Sequence, residues 1–330
     1  VNGENTRRDV RRARIGVLVL ALAVIALGHL WTPVDPAPVH AIHVVLRKLF
    51  ILPIVLAAVW FGLRGAVVTL IGCSLFYLPY IWLDWKGNLS ENLNQYGEIV
   101  TFWITGILAG AFAGREKAAL RDAARTHEGA LLALVNALDA REHDTQAHSL
   151  RVRSLALRLG RALRLGPKRL RVLGQGALLH DVGKIGVPDR ILLKEGPLSP
   201  EEWEDMRKHP EFGQKILETV PFLRQAAEIV GTHHEKYDGT GYPRGLAGDR
   251  IPLGARVFAV VDVFDALTNK RPYHDAVGIS EAKKTIREGS GTHFDPEVAE
   301  AFLALADVEI DRVTSEAYWV TARDSVGPNR

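Results

Sequence analysis

The chain has a single cysteine, Cys73, among 330 residues. That excludes an intrachain disulfide and any thiolate metal cluster. Charge is scarce between residues 15 and 114, which hold only 8 Asp, Glu, Lys or Arg in 100 positions. Such a stretch does not make an ordinary soluble surface. Runs of alternating apolar and polar residues are also few, which argues against a sheet. Net charge is small at +3, and residues 1–14 account for all of it, with five Arg against one Glu and one Asp. The remainder is neutral, so net charge gives no hint of a nucleic-acid partner. With 47% hydrophobic residues, the chain has ample apolar material for a core, and disorder is excluded.

What is present divides into two unlike parts, and the mean hydropathy of +0.03 averages over them. A spanning helix needs about 20 mostly apolar residues. Four runs fit: Ile15–Trp31, about Ile42–Phe61, a third that follows the Gly62-Leu63-Arg64-Gly65 turn and ends near Trp82, and about Ile99–Ala113. Arg7, Arg8, Arg11, Arg12 and Arg14 precede the first run, and Arg115, Lys117 and Arg121 follow the last. The positive-inside rule then puts both ends in the cytoplasm. Arg47 and Lys48 break the rule and must snorkel, pair or face protein. An Arg-rich start before one apolar run also fits a cleaved signal peptide, but three further runs follow. The expected organisation is a basic cytoplasmic tail at 1–14, a transmembrane segment at 15–114 and a linker helix at 115–127. An all-α bundle at 128–308 and a tail at 309–330 follow. Lipid is thus an expected partner.

Helical signals dominate beyond Glu128. Ser199-Pro200-Glu201-Glu202 joins an N-cap, a Pro at the first helical position and a capping-box Glu, and Asp295-Pro296 opens a helix the same way. Eight of the twelve His lie between 143 and 293, several beside carboxylates. His180-Asp181 and His233-His234-Glu235 end helices, and His209 precedes Pro210. Asp262 sits in an apolar helix with Asp265 three residues on, and needs a charged or hydrogen-bonded partner. Each item alone is weak, since His-Asp pairs are commonly surface residues. As a set, His and Asp donors without Cys suit Fe, Mn or Zn. Two such ions can share a hydroxide and clamp a phosphate for in-line attack.

The stretches His180-Asp181-Val182-Gly183-Lys184 and His233-His234-Glu235 through Gly241-Tyr242-Pro243 resemble the HD-GYP family. So do Asp262-Val263-Phe264-Asp265-Ala266-Leu267-Thr268, Arg271-Pro272-Tyr273, His148-Ser149-Leu150-Arg151-Val152 and Phe294-Asp295-Pro296. The resemblance implies a helical phosphohydrolase that opens cyclic di-GMP to linear pGpG, and on to GMP, through a hydroxide bridging two metals, Fe or Mn. It assigns His148, His180 and Asp262 to one metal, His209, His233 and His234 to the other, and Asp181 to both. Lys184 and Arg271 correspond to phosphate contacts, and Gly241, Tyr242 and Pro243 to a loop beside the site. Asp144 stands where members with three metals carry Glu, so it is either a third-metal ligand or an ordinary capping Asp. His274 replaces a usual Lys or Arg after Arg271-Pro272-Tyr273, which puts a phosphate contact there in doubt.

The membrane part resembles, less closely, a four-helix sensor segment found on some bacterial histidine kinases. No Asn- and Gly-rich nucleotide boxes follow, so a kinase is disfavoured. The implied protein is a multi-pass protein of the bacterial inner membrane with its catalytic domain in the cytoplasm. A homodimer, or a GGDEF-type or other signalling partner, is compatible with this. Two alternatives stand beside the enzyme: a catalytically silent module that binds metal and nucleotide, and a phosphodiesterase for another cyclic dinucleotide.

Overall fold

The computed structural model describes residues 2–31, 44–84, 89–142, 147–269 and 275–315. Among these the regular structure is helical, as expected, apart from an isolated bridge between Ser290 and Phe294. The chain divides into two compact units, Val1–His127 and Glu128–Arg330.

In the first unit, α1 spans Asn2–Trp31 and α2 spans Ile51–Asp84. The basic residues before Ile15 lie within the bounds of α1, as nothing in 2–14 breaks a helix as Pro would. The turn expected at Gly62–Gly65 contracts to a kink at Gly62, whose φ of 69° and ψ of −156° suit glycine alone. α3 spans Leu89–Glu142 without interruption. It absorbs the expected fourth run, the linker helix and the first helix of the bundle, since no Pro stops it. Two described stretches, Val44–Phe76 and Leu93–Arg141, are long and apolar enough to cross a membrane.

Ile54, Leu70, Cys73 and Phe102 are buried, yet Leu20, Leu27, Val68, Leu75, Leu108 and Phe112 point outward. Gly106 and Gly110 lie one turn apart on α3, the first against Ile54 and Leu70 and the second against Leu63 and Ala66. Small residues at this spacing let helices approach closely. Arg47 is buried and paired: its Nε lies 2.7 Å from Glu98 Oε2, and its Nη2 donates to Oε1 at 2.9 Å. This pairing accounts for one of the two cations that broke the charge rule.

The second unit packs α4 (Ala147–Ala162), α5 (Pro167–Leu178), α6 (Asp189–Leu192) and α7 (Pro200–Met206) with α8 (His209–Glu218) and α9 (Arg224–Gly231). α10 (Leu253–Thr268), α11 (Ile279–Glu288) and α12 (Pro296–Leu303) complete it. The caps form as the sequence predicts. Ser199 and Glu202 make a capping box, and the Asp295 carboxylate accepts from the backbone N–H groups of Glu297 and Val298.

The core surrounds α10. Val257, Phe258, Val260, Val261 and Phe264 are buried against Val152, Leu155 and Leu159 of α4 and Leu173 of α5. An apolar helix buried on most sides can hold a carboxylate only where polar groups converge on it. That place is the bend where α4, α5, α8 and α9 bring their ends beside α10.

Candidate metal centre

Five helices deliver the polar groups. His148 lies in the first turn of α4, His180 and Asp181 just past α5, His209 at the start of α8, His233 and His234 just past α9, and Asp262 within α10. Helix ends suit this task because their last carbonyls lack partners in the helix. His180 Nδ1 donates to Ala177 O at 2.9 Å, His209 Nδ1 to Met206 O at 2.8 Å and His233 Nδ1 to Val230 O at 2.6 Å. Each ring thereby anchors to the carbonyl three residues back. A carbonyl only accepts, so Nδ1 carries the proton and Nε2 presents a lone pair.

The lone pairs converge in two groups. His209, His233 and His234 form one; His148, His180 and Asp262 form the other; within each, one donor atom per residue lies within 4.8 Å of the rest. Asp181 connects them. Its Oδ2 lies 3.0 Å from His180 Nε2, and its Oδ1 lies 3.4 Å from His209 Nε2. Two lone pairs, on His209 Nε2 and His233 Nε2, face each other at 3.2 Å. His148 Nε2 faces Asp262 Oδ1 at 3.5 Å. Acceptor against acceptor is repulsive unless a cation intervenes. This set of N and O donors, with imidazole Nε2 atoms and carboxylates turned toward one another, fits a pair of divalent metals.

The field across the site is uneven. Burial disfavours charge on His180, but Asp181 and Asp262 override it and push the ring up to about 9. Burial and the neighbouring His234 and His209 hold His233 well below the usual range, and burial with His209 brings His234 down to about 4. Burial would raise the Asp181 carboxyl, yet His180 and Lys184 hold it well below the usual carboxylate range.

Backbone contacts set the registers. A Cβ at Gly183 would overlap the His209 carbonyl oxygen and the Gly213 nitrogen. Only glycine lets the turn after Asp181 lie against the start of α8, which is how Asp181 reaches His209. A Cβ at Gly241 would likewise collide with backbone atoms of His234, Glu235 and Lys236. That loop is tied down by Glu235, a buried carboxylate accepting from the N–H of Arg244 at 2.7 Å and of Leu246 at 3.0 Å. Tyr242, held in this way, stacks on His234 with ring centroids 4.7 Å apart.

A protein-family model described as an HD domain matches residues 132–298, half of the chain. The chain belongs to the HD domain family. Relatives share this part. A cyclic di-GMP phosphodiesterase of Vibrio cholerae is 43% identical over 197 residues, 55% of this chain and 40% of that protein. One from Thermotoga maritima is 43% identical over 178 residues, 53% of this chain and 48% of that protein. A 3'3'-cGAMP-specific phosphodiesterase 2 of Vibrio cholerae is 41% identical over 172 residues, 52% of this chain and 33% of that protein. The chain spans less than half the length of each of these relatives.

The HD domain thus brings together seven expected metal-type residues: His148, His180, Asp181, His209, His233, His234 and Asp262. Lys184 joins them, with its Nζ 3.0 Å from Asp181 Oδ2. Asp144, Arg271 and His274 lie outside the described residues.

Sequence reasoning missed four supporting residues of the HD domain. Asp265 is buried and accepts from His148 Nδ1 at 2.7 Å and from Arg151 at 2.7 and 2.9 Å. Both pairs are spaced by three, Asp262 with Asp265 and His148 with Arg151, and that shared helical spacing was the available signal. Arg141, at the end of α3, donates to the carbonyls of Lys184, Ile185 and Val187 and pairs with Asp189. The Arg207 guanidinium lies 5.4 Å over the Tyr242 ring. Neither arginine carried any sequence signal.

Proposed function

We propose that this chain is a metal-dependent phosphodiesterase that hydrolyses cyclic di-GMP to linear pGpG. The one diester left in pGpG offers the same chemistry, so GMP is the expected further product. The observation that carries this reading is Asp181, with one oxygen turned to each of two donor groups. Relatives named as cyclic di-GMP phosphodiesterases support it at 43% identity.

His148, His180 and Asp262 would hold one divalent ion, Fe or Mn, and His209, His233 and His234 the other, with Asp181 serving both. Such a pair supplies Lewis acidity toward a phosphate and lowers the pKa of water. The chain's own residues do the positioning. Backbone carbonyls anchor Nδ1 of His180, His209 and His233, and the Asp265 carboxylate anchors Nδ1 of His148, so that Nε2 turns inward in all four. Phe258 packs on His180 and His233 to keep solvent from their inner faces. Lys184 is partly exposed and keeps its ammonium beside Asp181, where it can meet a phosphate as negative charge develops. Arg271 is assigned to a second phosphate contact, and Gly241, Tyr242 and Pro243 to the rim.

The test is hydrolysis by full-length protein loaded anaerobically with Mn²⁺ or Fe²⁺, with products separated by chromatography. Release of pGpG supports the reading; intact cyclic di-GMP sinks it. A second reading changes the substrate to 3'3'-cGAMP, and the 41% identity to a cGAMP-specific relative favours it. The same assay with both nucleotides in competition decides between them.

We further infer that four spans anchor the chain in the bacterial inner membrane, with the catalytic unit in the cytoplasm. The two long apolar stretches and the outward Leu, Val and Phe side chains support this. Extraction by alkaline carbonate would argue against it, and retention in the membrane pellet for it.

A further inference from the structure

The two donor groups are built from different chemistry. The His209–His233–His234 group offers three neutral imidazoles, whereas the His148–His180–Asp262 group includes a carboxylate. A divalent ion is drawn more strongly to an anionic donor than to a third neutral one. The backing of the rings differs as well. His209 and His233 lean on the carbonyls of Met206 and Val230. His148 instead donates to the carboxylate of Asp265, only 1% exposed, at 2.7 Å. Arg151 grips both oxygens of that carboxylate, at 2.7 Å through Nε and 2.9 Å through Nη2. A carboxylate behind an imidazole makes Nε2 a more basic donor than a carbonyl does and holds the ring in one orientation. Lys184 opposes this from Oδ2 of the shared Asp181, but its ammonium is partly exposed and screened by solvent.

We propose that the two groups take up metal in a fixed order, the His148–His180–Asp262 group first, and that Asp265 sets the order as a positioning residue acting through His148. This rests on the metal-centre reading above and goes beyond it, since a binuclear site needs no order of filling. Arg151 has a part in it: by occupying both oxygens of Asp265 it keeps that carboxylate from turning away from His148.

The experiment is an anaerobic Mn²⁺ titration of metal-free, full-length protein. Binding heat gives the two affinities, and the electron-paramagnetic spectrum reports the one-metal species. The parent should bind in two resolved steps. Asp265→Asn should weaken the first step about 10- to 100-fold and leave the second in place, so that the steps merge. His234→Ala should remove the second step and leave the first. Arg151→Gln keeps the Asp265 carboxylate and should weaken the first step by less. It also serves as the test if Asp265→Asn does not fold.

A purely structural role for Asp265 would lower both affinities together or neither, and either result overturns the proposal. So would loss of the tighter step in His234→Ala. Absence of any Mn²⁺ binding by the parent would instead overturn the metal-centre reading.

Discussion

Both units bury charge or polarity, and they resolve it in opposite ways. In the first unit Arg47 meets Glu98, cation against carboxylate, with one hydrogen bond from Nη2. In the second, His209 and His233 turn lone pair to lone pair, and His148 faces Asp262 in the same manner. A closed pair needs nothing more and reads as structure. An open set of acceptors is stable only when something positive arrives, and it reads as a site. Burial alone does not tell the two apart, because Arg47 and His209 are 5% and 2% exposed.

The largest expected effect comes from emptying the open set. Asp181→Asn removes the carboxylate that both groups share. It should lower turnover of cyclic di-GMP by about a hundred- to a thousandfold, the size of loss that follows removal of one preorganised electrostatic contact. Steady-state rates and metal content per chain, measured together, check it; a variant with parental turnover would show that the groups are not joined through Asp181.

Breaking the closed pair should act on stability instead. Arg47→Ala removes the cation that faces Glu98, a loss smaller than the roughly 3–5 kcal/mol of a fully buried pair because Glu98 keeps some exposure, read as a lower unfolding midpoint in detergent. Hydrolysis by the still-folded fraction should be unchanged. A change in turnover per folded molecule would blur the distinction between the units.

Metal removal sharpens the contrast. Chelation should destabilise the second unit by about 2.7 kcal/mol when free metal had stood at a hundred times its dissociation constant. Hydrogen exchange resolved by segment should show faster opening at residues 147–269 and no change at residues 51–76.

The smallest effect is the pH response of metal-free protein. His234, brought down to about 4, and His233, held lower than usual, are neutral when folded and charge readily when unfolded. Their contribution is present above about 6.5 and is lost as pH falls toward 4. His180 has the opposite sign: its value of about 9 means a contribution present below about 6.5 and lost as pH rises through 9. The unfolding midpoint of the second unit should therefore peak near neutral pH, and metal loading should flatten that peak.

Much of the second unit was legible along the chain. Capping residues such as Ser199 and Asp295 act within three positions of themselves, so local sequence reveals them. The seven expected donors were legible because their motifs resemble those of the HD-GYP family. The Gly62 and Gly65 pair predicts a turn where the helix only kinks at Gly62, since glycines signal a break but not how few residues the break requires. The length of α3 was read as three pieces because its composition changes from apolar to charged while its backbone does not respond. Arg141 and Arg207 could not be read at all. One contacts carbonyls, which every residue has, and the other an aromatic face 35 positions away.

Helices, caps and the concentration of charge outside residues 15–114 follow from near neighbours and residue type, and the His and Asp donors from motifs that resemble a known family. The family resemblance implied how the donors group; what stands behind each of them came from tertiary structure. Asp265 meets His148 across 117 positions only because α4 packs on α10. Asp181 reaches His209 only because Gly183, lacking a Cβ, lets two backbones touch. Those are consequences of shape and close packing between distant segments, which the local spacing of Asp265 and Arg151 hints at but does not specify.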